Sequence, residues 1–186
     1  MPPKIKVTKD EILDAAIDIV RQNGPAAINA RTVAKALNCS TQPVFSNFAT
    51  MEALRQGVRD RAEQICTEYL RREEESGKYP VYKANGMAYI RFAKEERELF
   101  KLLYMCDRQD KSEPVDSELN DRMENLVHEN TGLGGGKMKL FHLEMWAYVH
   151  GIATMYATGF MDLPWELVSQ MLTDSYQGLR KQYEQE

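Results

Sequence analysis

The 186-residue sequence predicts an all-α protein of about nine helices in two domains. Three observations predict it. Apolar residues recur at three- and four-residue spacing in the N-terminal segments, and no strand-like alternation persists after Tyr79. Capping and stop residues punctuate these runs at Thr8, Asn23-Gly24-Pro25, Asn29, Thr50 and Asp162-Leu163-Pro164. Leu140–Met161 is a run of 22 residues whose only formal charge is Glu144, the pattern of a helix buried on two sides.

Composition narrows the class. With 43% hydrophobic and 28% charged residues, the chain is neither wholly disordered nor collagen-like, and its length is ample for a core. Met1-Pro2-Pro3-Lys4 leads into no apolar segment, so no secretory signal is expected. Cys39, Cys66 and Cys106 are widely spaced and form no CxxC pair. They are expected to be reduced thiols in a cytoplasmic protein. The net charge of −4 divides unevenly: residues 1–72 hold 11 basic against 8 acidic residues, +3, and residues 73–186 hold 13 against 20, −7. Such asymmetry is compatible with two separate jobs.

Thr8 and Glu11 have capping-box spacing, and Leu13, Ala16, Ile17 and Val20 then define one helical face. Gly24-Pro25 stops that helix. Asn29 is a good N-cap for a short second helix that turns Ala30, Val33, Ala34 and Leu37 inward. A third helix starts at Ser40 or Thr41, tolerates Pro43 in its first turn, and carries Val44, Phe45 and Phe48. Thr50 caps a long fourth helix, with Leu54, Val58, Ile65 and Tyr69 inward, that runs to about Arg72. Two short helices joined by a tight turn form a helix-turn-helix, whose second helix is the candidate for the major groove. Ser40, Thr41, Gln42, Ser46 and Asn47 offer the short polar side chains that base edges require; Gln and Asn match adenine. A generic three-helix bundle with solvated polar residues has the same spacing.

Residues 11–58 resemble the DNA-binding domain of TetR-type transcriptional regulators. The resemblance rests on Ile12–Ile17, Gly24, Val33-Ala34-Lys35-Ala36-Leu37-Asn38-Cys39-Ser40, Phe45-Ser46-Asn47-Phe48 and Met51-Glu52-Ala53-Leu54. It implies a helix-turn-helix domain over 1–50, a linking helix over about 50–72, and a ligand-binding and dimerisation domain over 73–186. It also implies a DNA-facing set of Arg31, Thr32, Ser40, Thr41, Gln42, Phe45, Ser46 and Asn47. The chain departs from the family pattern at Asn38 for Gly, Phe45 for Tyr, Asn47 for His and Met51 for Lys. Weaker phosphate contacts follow, or compensation by an N-terminal arm carrying Lys4, Lys6 and Lys9.

In the second half, helices are expected over Val81–Lys94, Glu96–Met105 and about Asp116–Asn130, with a polar loop at Asp107–Val115. The segment YIRFAKEERELFKLLYM is similar to the matching stretch of TetR-type ligand domains. The glycines at 132 and 134–136 with Lys137 do not make a phosphate loop: Gly132 is one residue too close, Met138 follows Lys137, and no strand precedes them. Along Leu140–Met161, Phe141, Met145, Tyr148, Ile152 and Met155 are expected to pack within the domain, leaving Ala147, Gly151, Thr154 and Thr158 for a partner. Scattered His, Thr and Glu residues speak against a membrane span. A last helix places Leu167, Val168, Met171, Leu172 and Leu179 on its apolar side. These closing helices, about 138–160 and 164–184, resemble the TetR-type homodimer interface, and Trp146-x-x-x-His150-Gly151 is similar to a signature in some of the family's ligand domains. The implied function is a repressor released from a palindromic double-stranded DNA operator by a small apolar or amphipathic effector. Tyr89, Phe92, Leu103, Tyr104, Met145, Trp146 and Val149 are the candidate effector contacts.

An all-α small-molecule-binding dimer without DNA activity is the main alternative. Enzymatic readings find little: His128, His142 and His150 have no Glu-x-x-His or His-x-x-x-His spacing, Gly-x-Ser-x-Gly is absent, and no cysteine lies in a catalytic signature. No cofactor and no metal is expected.

Overall fold

The computed structural model describes residues 7–105 and 117–184, apart from the side chains of Ser117, Glu118 and Asn120. Lys4, Lys6, Cys106 and the expected polar loop at 107–115 lie outside the described residues. Among those described there are nine α-helices and no strand. They are α1 (Lys9–Asn23), α2 (Ala30–Ala36), α3 (Gln42–Asn47), α4 (Met51–Glu75), α5 (Val81–Glu95), α6 (Arg97–Tyr104), α7 (Ser117–Thr131), α8 (Gly135–Thr158) and α9 (Trp165–Glu184).

The chain divides into two compact units. One comprises Met1–Thr67 and Glu96–Cys106; the other comprises Glu68–Glu95 and Asp107–Glu186. The division differs from one at residue 72, because α6 belongs with the helix-turn-helix. It packs on α1, where Leu99, Phe100 and Leu103 are buried. Arg21 of α1 also grips Glu96 with two parallel bonds, Nε–Oε2 at 2.9 Å and Nη2–Oε1 at 2.7 Å. Such a paired fork adds orientation as well as attraction.

In the N-terminal unit, Thr8 and Glu11 make the expected reciprocal cap, and Gly24 at φ 78° closes α1 through its N–H to the Val20 carbonyl. Pro25–Ala27 then forms a single 3-10 turn. Ile12, Ala16, Ile17, Val20, Val33, Val44 and Phe48 are buried around these helices. The inward stripe of α4 is Leu54, Val58, Ala62 and Cys66, whereas Ile65 is only half-buried. Burial pushes the Cys66 thiol up to about 11 even though the Tyr104 hydroxyl lies 3.5 Å from its sulfur, so this cysteine stays protonated. Gly57 sits where α4 approaches α1 and Phe48: a Cβ there would lie 3.0 Å from the Leu13 Cδ2 and 3.2 Å from the Phe48 ring. A larger residue would force both side chains aside.

In the C-terminal unit α5 packs chiefly on α8, with α7 and α9 against that pair. Met87, Ala88, Phe92, Phe141, Ile152, Tyr156, Val168 and Leu172 fill the core. The last turns of α4 are fixed to α5 by Tyr69 to Glu95 (2.9 Å), Glu73 to Arg91 (3.3 Å) and Glu74 to the buried Asn85 (2.7 Å). Glu74 also receives Arg122 of α7 through two bonds (2.7 and 2.9 Å), and that guanidinium lowers the carboxyl's pKa. The turn between α8 and α9 is pinned in the same way. Gly159 at φ 70° caps α8, Tyr156 donates to the Leu163 carbonyl (2.7 Å), Lys94 pairs with Asp162 (2.6 Å), and Arg91 stacks 4.4 Å from the Trp165 ring centroid.

Candidate nucleic-acid interface

The turn between α2 and α3 is built by local chemistry. Asn29 Oδ1 accepts the N–H groups of Arg31 and Thr32 (both 3.0 Å), while its own N–H donates to the Thr32 hydroxyl (3.1 Å). Asn38, which stands where the family pattern has Gly, takes a left-handed φ of 52°, a conformation Asn adopts more readily than most residues. The Cys39 N–H then reaches the Ala34 carbonyl at 2.9 Å and closes the end of α2.

Val44 and Phe48 anchor α3 in the core, which turns Gln42, Phe45 and Ser46 outward at i, i+3 and i+4. Ser40 and Arg31 are exposed beside them in sequence, and Thr41 is half-buried. Phe45 is 51% exposed, an apolar ring on an otherwise polar surface. Two members of the expected set have other engagements. The Thr32 hydroxyl lies 2.8 Å from the Ala27 carbonyl as part of the α2 cap, a role that the Asn29-x-x-Thr32 spacing already encodes. Asn47 Nδ2 donates to the carbonyls of Pro43 (2.8 Å) and Val7 (3.3 Å). The exposed Ser46 hydroxyl donates back to the Gln42 carbonyl at 2.9 Å and keeps its acceptor capacity.

The seven residues assigned to the effector do not come together as one set. Leu103 and Tyr104 lie on α6 in the N-terminal unit; Tyr89, Phe92, Met145, Trp146 and Val149 lie in the C-terminal unit. Phe92, Met145 and Val149 are buried. Tyr89 and Trp146 meet at His150: the Tyr89 hydroxyl is 2.9 Å from its Nδ1, and the indole stacks on the imidazole at 5.0 Å with 8° between planes. A second pair of the same kind joins Tyr82 to His142 at 3.0 Å. The order of the two pairs shows that α5 and α8 run parallel. The sequence reading pairs neither histidine with its tyrosine, although the seven-residue spacing of Tyr82 and Tyr89 nearly matches the eight-residue spacing of His142 and His150.

Burial lowers the pKa of both histidines. For His142 the chief electrostatic counterweight is Glu124 of α7, which favours the charged form. An unfolded histidine titrates near ~6.5. As pH falls below that value the unfolded chain binds protons that the folded one resists, so stability is full above the window and declines through it. The melting temperature is expected to drop between pH 7.5 and 5.5, and the drop is expected to shrink in His142→Gln and His150→Gln. An unchanged drop in both variants would contradict the assignment.

Among the described residues no helix is long and apolar enough to cross a membrane, and no group of three or more His, Cys, Asp or Glu side chains could hold a metal ion. A helix-turn-helix unit joined to a second helical unit places the chain in the class of helix-turn-helix proteins. Residues 82–174 match the family model described as the tetracyclin repressor-like C-terminal domain, which covers half of the sequence. The chain belongs to the TetR family of transcriptional regulators.

Solved structures agree in fold. A TetR-like transcriptional regulator from Rhodococcus sp. RHA1 aligns over 96% of this chain and 98% of its own, with TM-score 0.70 and 16% identity. A protein of unknown function from the same organism aligns over 97% and 98%, with TM-score 0.72 and 21% identity. A TetR-family member from Streptomyces coelicolor A3 aligns over 90% and 96%, with TM-score 0.67 and 20% identity. No curated protein matches the chain.

Proposed function

We propose that the protein is a homodimeric repressor that binds a palindromic DNA operator and is released from it by a small apolar or amphipathic effector. The observation that carries this reading is the outward face of α3, where Gln42 and Ser46 stand beside the exposed Phe45 while Val44 and Phe48 hold the helix in the core. Gln42 offers the donor and acceptor that adenine requires, and Arg31 adds a cation at the start of α2. One such helix reads only a few base pairs. A two-fold dimer reads two half-sites about 34 Å apart.

Exposed apolar residues on α8 and α9 support the dimer: Leu140 (48%), Leu143 (57%) and Leu167 (45%) lie open in the single chain. The Tyr89–His150–Trp146 cluster, an aromatic surface with polar handles, is the proposed effector contact in the C-terminal unit. An effector that prefers the DNA-incompetent dimer shifts the equilibrium toward it. The proposed place of action is the cytoplasm.

Gel shifts on tiled duplexes from the DNA upstream of the protein's own gene test the reading. The expected result is a specific complex that weakens steeply with salt. Gln42→Ala is expected to cost ~1–3 kcal/mol on the specific site and little on random DNA. Absence of any specific complex at low salt would leave an all-α small-molecule-binding dimer in its place.

A further inference from the structure

Phe45 sits in the middle of the outward face of α3, a helix that spans only Gln42–Asn47. At 1.5 Å per residue such a helix is about 9 Å long, so it presents one outward patch rather than an extended stripe. Gln42, Phe45 and Ser46 make up that patch, all three exposed. The Ser46 hydroxyl donates to the Gln42 carbonyl (2.9 Å), so it meets a base edge as an acceptor. Phe45 brings no hydrogen-bonding group at all. Its ring is 51% exposed, whereas Val44 and Phe48 on the same helix are buried. The helix thus uses two apolar side chains to hold itself in the core and displays a third.

The major groove of B-DNA displays one apolar group, the C5-methyl of thymine. Adenine and guanine present N7 and their exocyclic groups, and cytosine presents an amino donor. A ring laid on that amino group removes its water without replacing the bond, which disfavours cytosine. A ring laid on the methyl takes apolar surface of both partners out of water, which favours thymine. Phosphate offers a bare ring no hydrogen bond, so a contact through Phe45 goes to a base and carries sequence information. Residues three apart on a helix hold their Cβ atoms about 5–6 Å from each other. Successive base pairs are about 3.4 Å apart, so Phe45 and Gln42 meet bases one or two pairs from each other.

Building on the DNA-binding reading above, we propose that Phe45 reads the C5-methyl group of a thymine in each half-site, one or two base pairs from the base that Gln42 contacts. The ring makes the operator depend on a methyl group and rejects cytosine at that position.

Uracil differs from thymine only in lacking the C5-methyl, so it tests the contact without altering the protein. The full-length protein selects duplexes from a pool with a randomised centre. The enriched duplex is then remade with deoxyuridine at one symmetry-related pair of thymines at a time. At one such pair the affinity is expected to fall about fourfold for each methyl removed, or about 15-fold for both half-sites. Phe45→Ala is expected to bind the thymine duplex at least as weakly as the wild type binds the uracil duplex. It is expected to lose nothing further on uracil substitution, because the two changes remove the same contact. Phe45→Leu, which keeps an apolar side chain, is expected to retain part of the preference. On duplexes of random sequence the three proteins are expected to bind alike. Tolerance of uracil at every thymine overturns the role of Phe45, as does a uracil effect that persists in Phe45→Ala. An equal loss by Phe45→Ala on random and selected duplexes also overturns it, since that marks a contact blind to sequence. A pool that yields no enriched duplex overturns the DNA-binding reading itself, an outcome separate from the uracil scan.

Discussion

In the proposed dimer, Leu143→Glu is expected to part the subunits and to weaken operator binding by two to four powers of ten. Leu143 is 57% exposed in the single chain, so glutamate there costs the isolated fold little. Leu140 lies on the same helix, and Leu167 on α9 is 45% exposed. In the proposed interface the carboxylate would be taken out of water opposite leucines, a loss of several kcal/mol with no partner to offset it. Once the subunits part, the second recognition helix is no longer delivered at the high local concentration that covalent or dimeric linkage provides, which is worth ~10²–10⁴ in affinity. Sedimentation velocity and anisotropy on the operator measure the two effects together. A variant that stays dimeric with full affinity would place the interface elsewhere.

Phe100→Ala is expected to lower the stability of the N-terminal unit by ~3–5 kcal/mol, the usual cost of deleting a buried ring. Phe100 is fully buried on α6, 5.1 Å from the Tyr104 ring. Because α6 packs on α1, the loss should appear first in the helix-turn-helix. Hydrogen exchange is the informative measurement: amides of Ile12–Val20 are expected to lose protection while those in α5 and α8 keep theirs. Equal loss in both units would show that they unfold as one. Loss confined to α5 and α8 would overturn the assignment of α6.

The parts of this architecture that depend on neighbours in sequence were readable from the sequence. The Thr8–Glu11 box, the Asn29 cap and the Asn38 turn each involve residues a few positions apart, and the nine described helices fall close to their expected bounds. The parts that depend on distant neighbours were not. Ile65 has a larger apolar side chain than Ala62 or Cys66, yet those two are the buried positions and Ile65 is half-buried. On α8 a helix apolar nearly all round carries no amphipathic signal. Tyr148, expected inward, is 36% exposed, and Val149 beside it is buried. For the DNA-facing set, residue type identified the outward face of α3, since Gln42 and Ser46 are exposed as expected. Residue type alone could not reveal that Asn47 turns to Val7, because that partner is 40 positions away.

The return of α6 to the N-terminal unit has a consequence for synthesis. The helix-turn-helix residues leave the ribosome first, but the face of α1 that α6 covers stays open until Glu96–Tyr104 has also emerged. Burial of Leu99, Phe100 and Leu103 completes the helix-turn-helix unit only after all of α5 has been made. A fragment ending at residue 72 lacks those three side chains and leaves Arg21 without Glu96. Maturation of the N-terminal unit thus waits on translation of α5, a helix of the other unit.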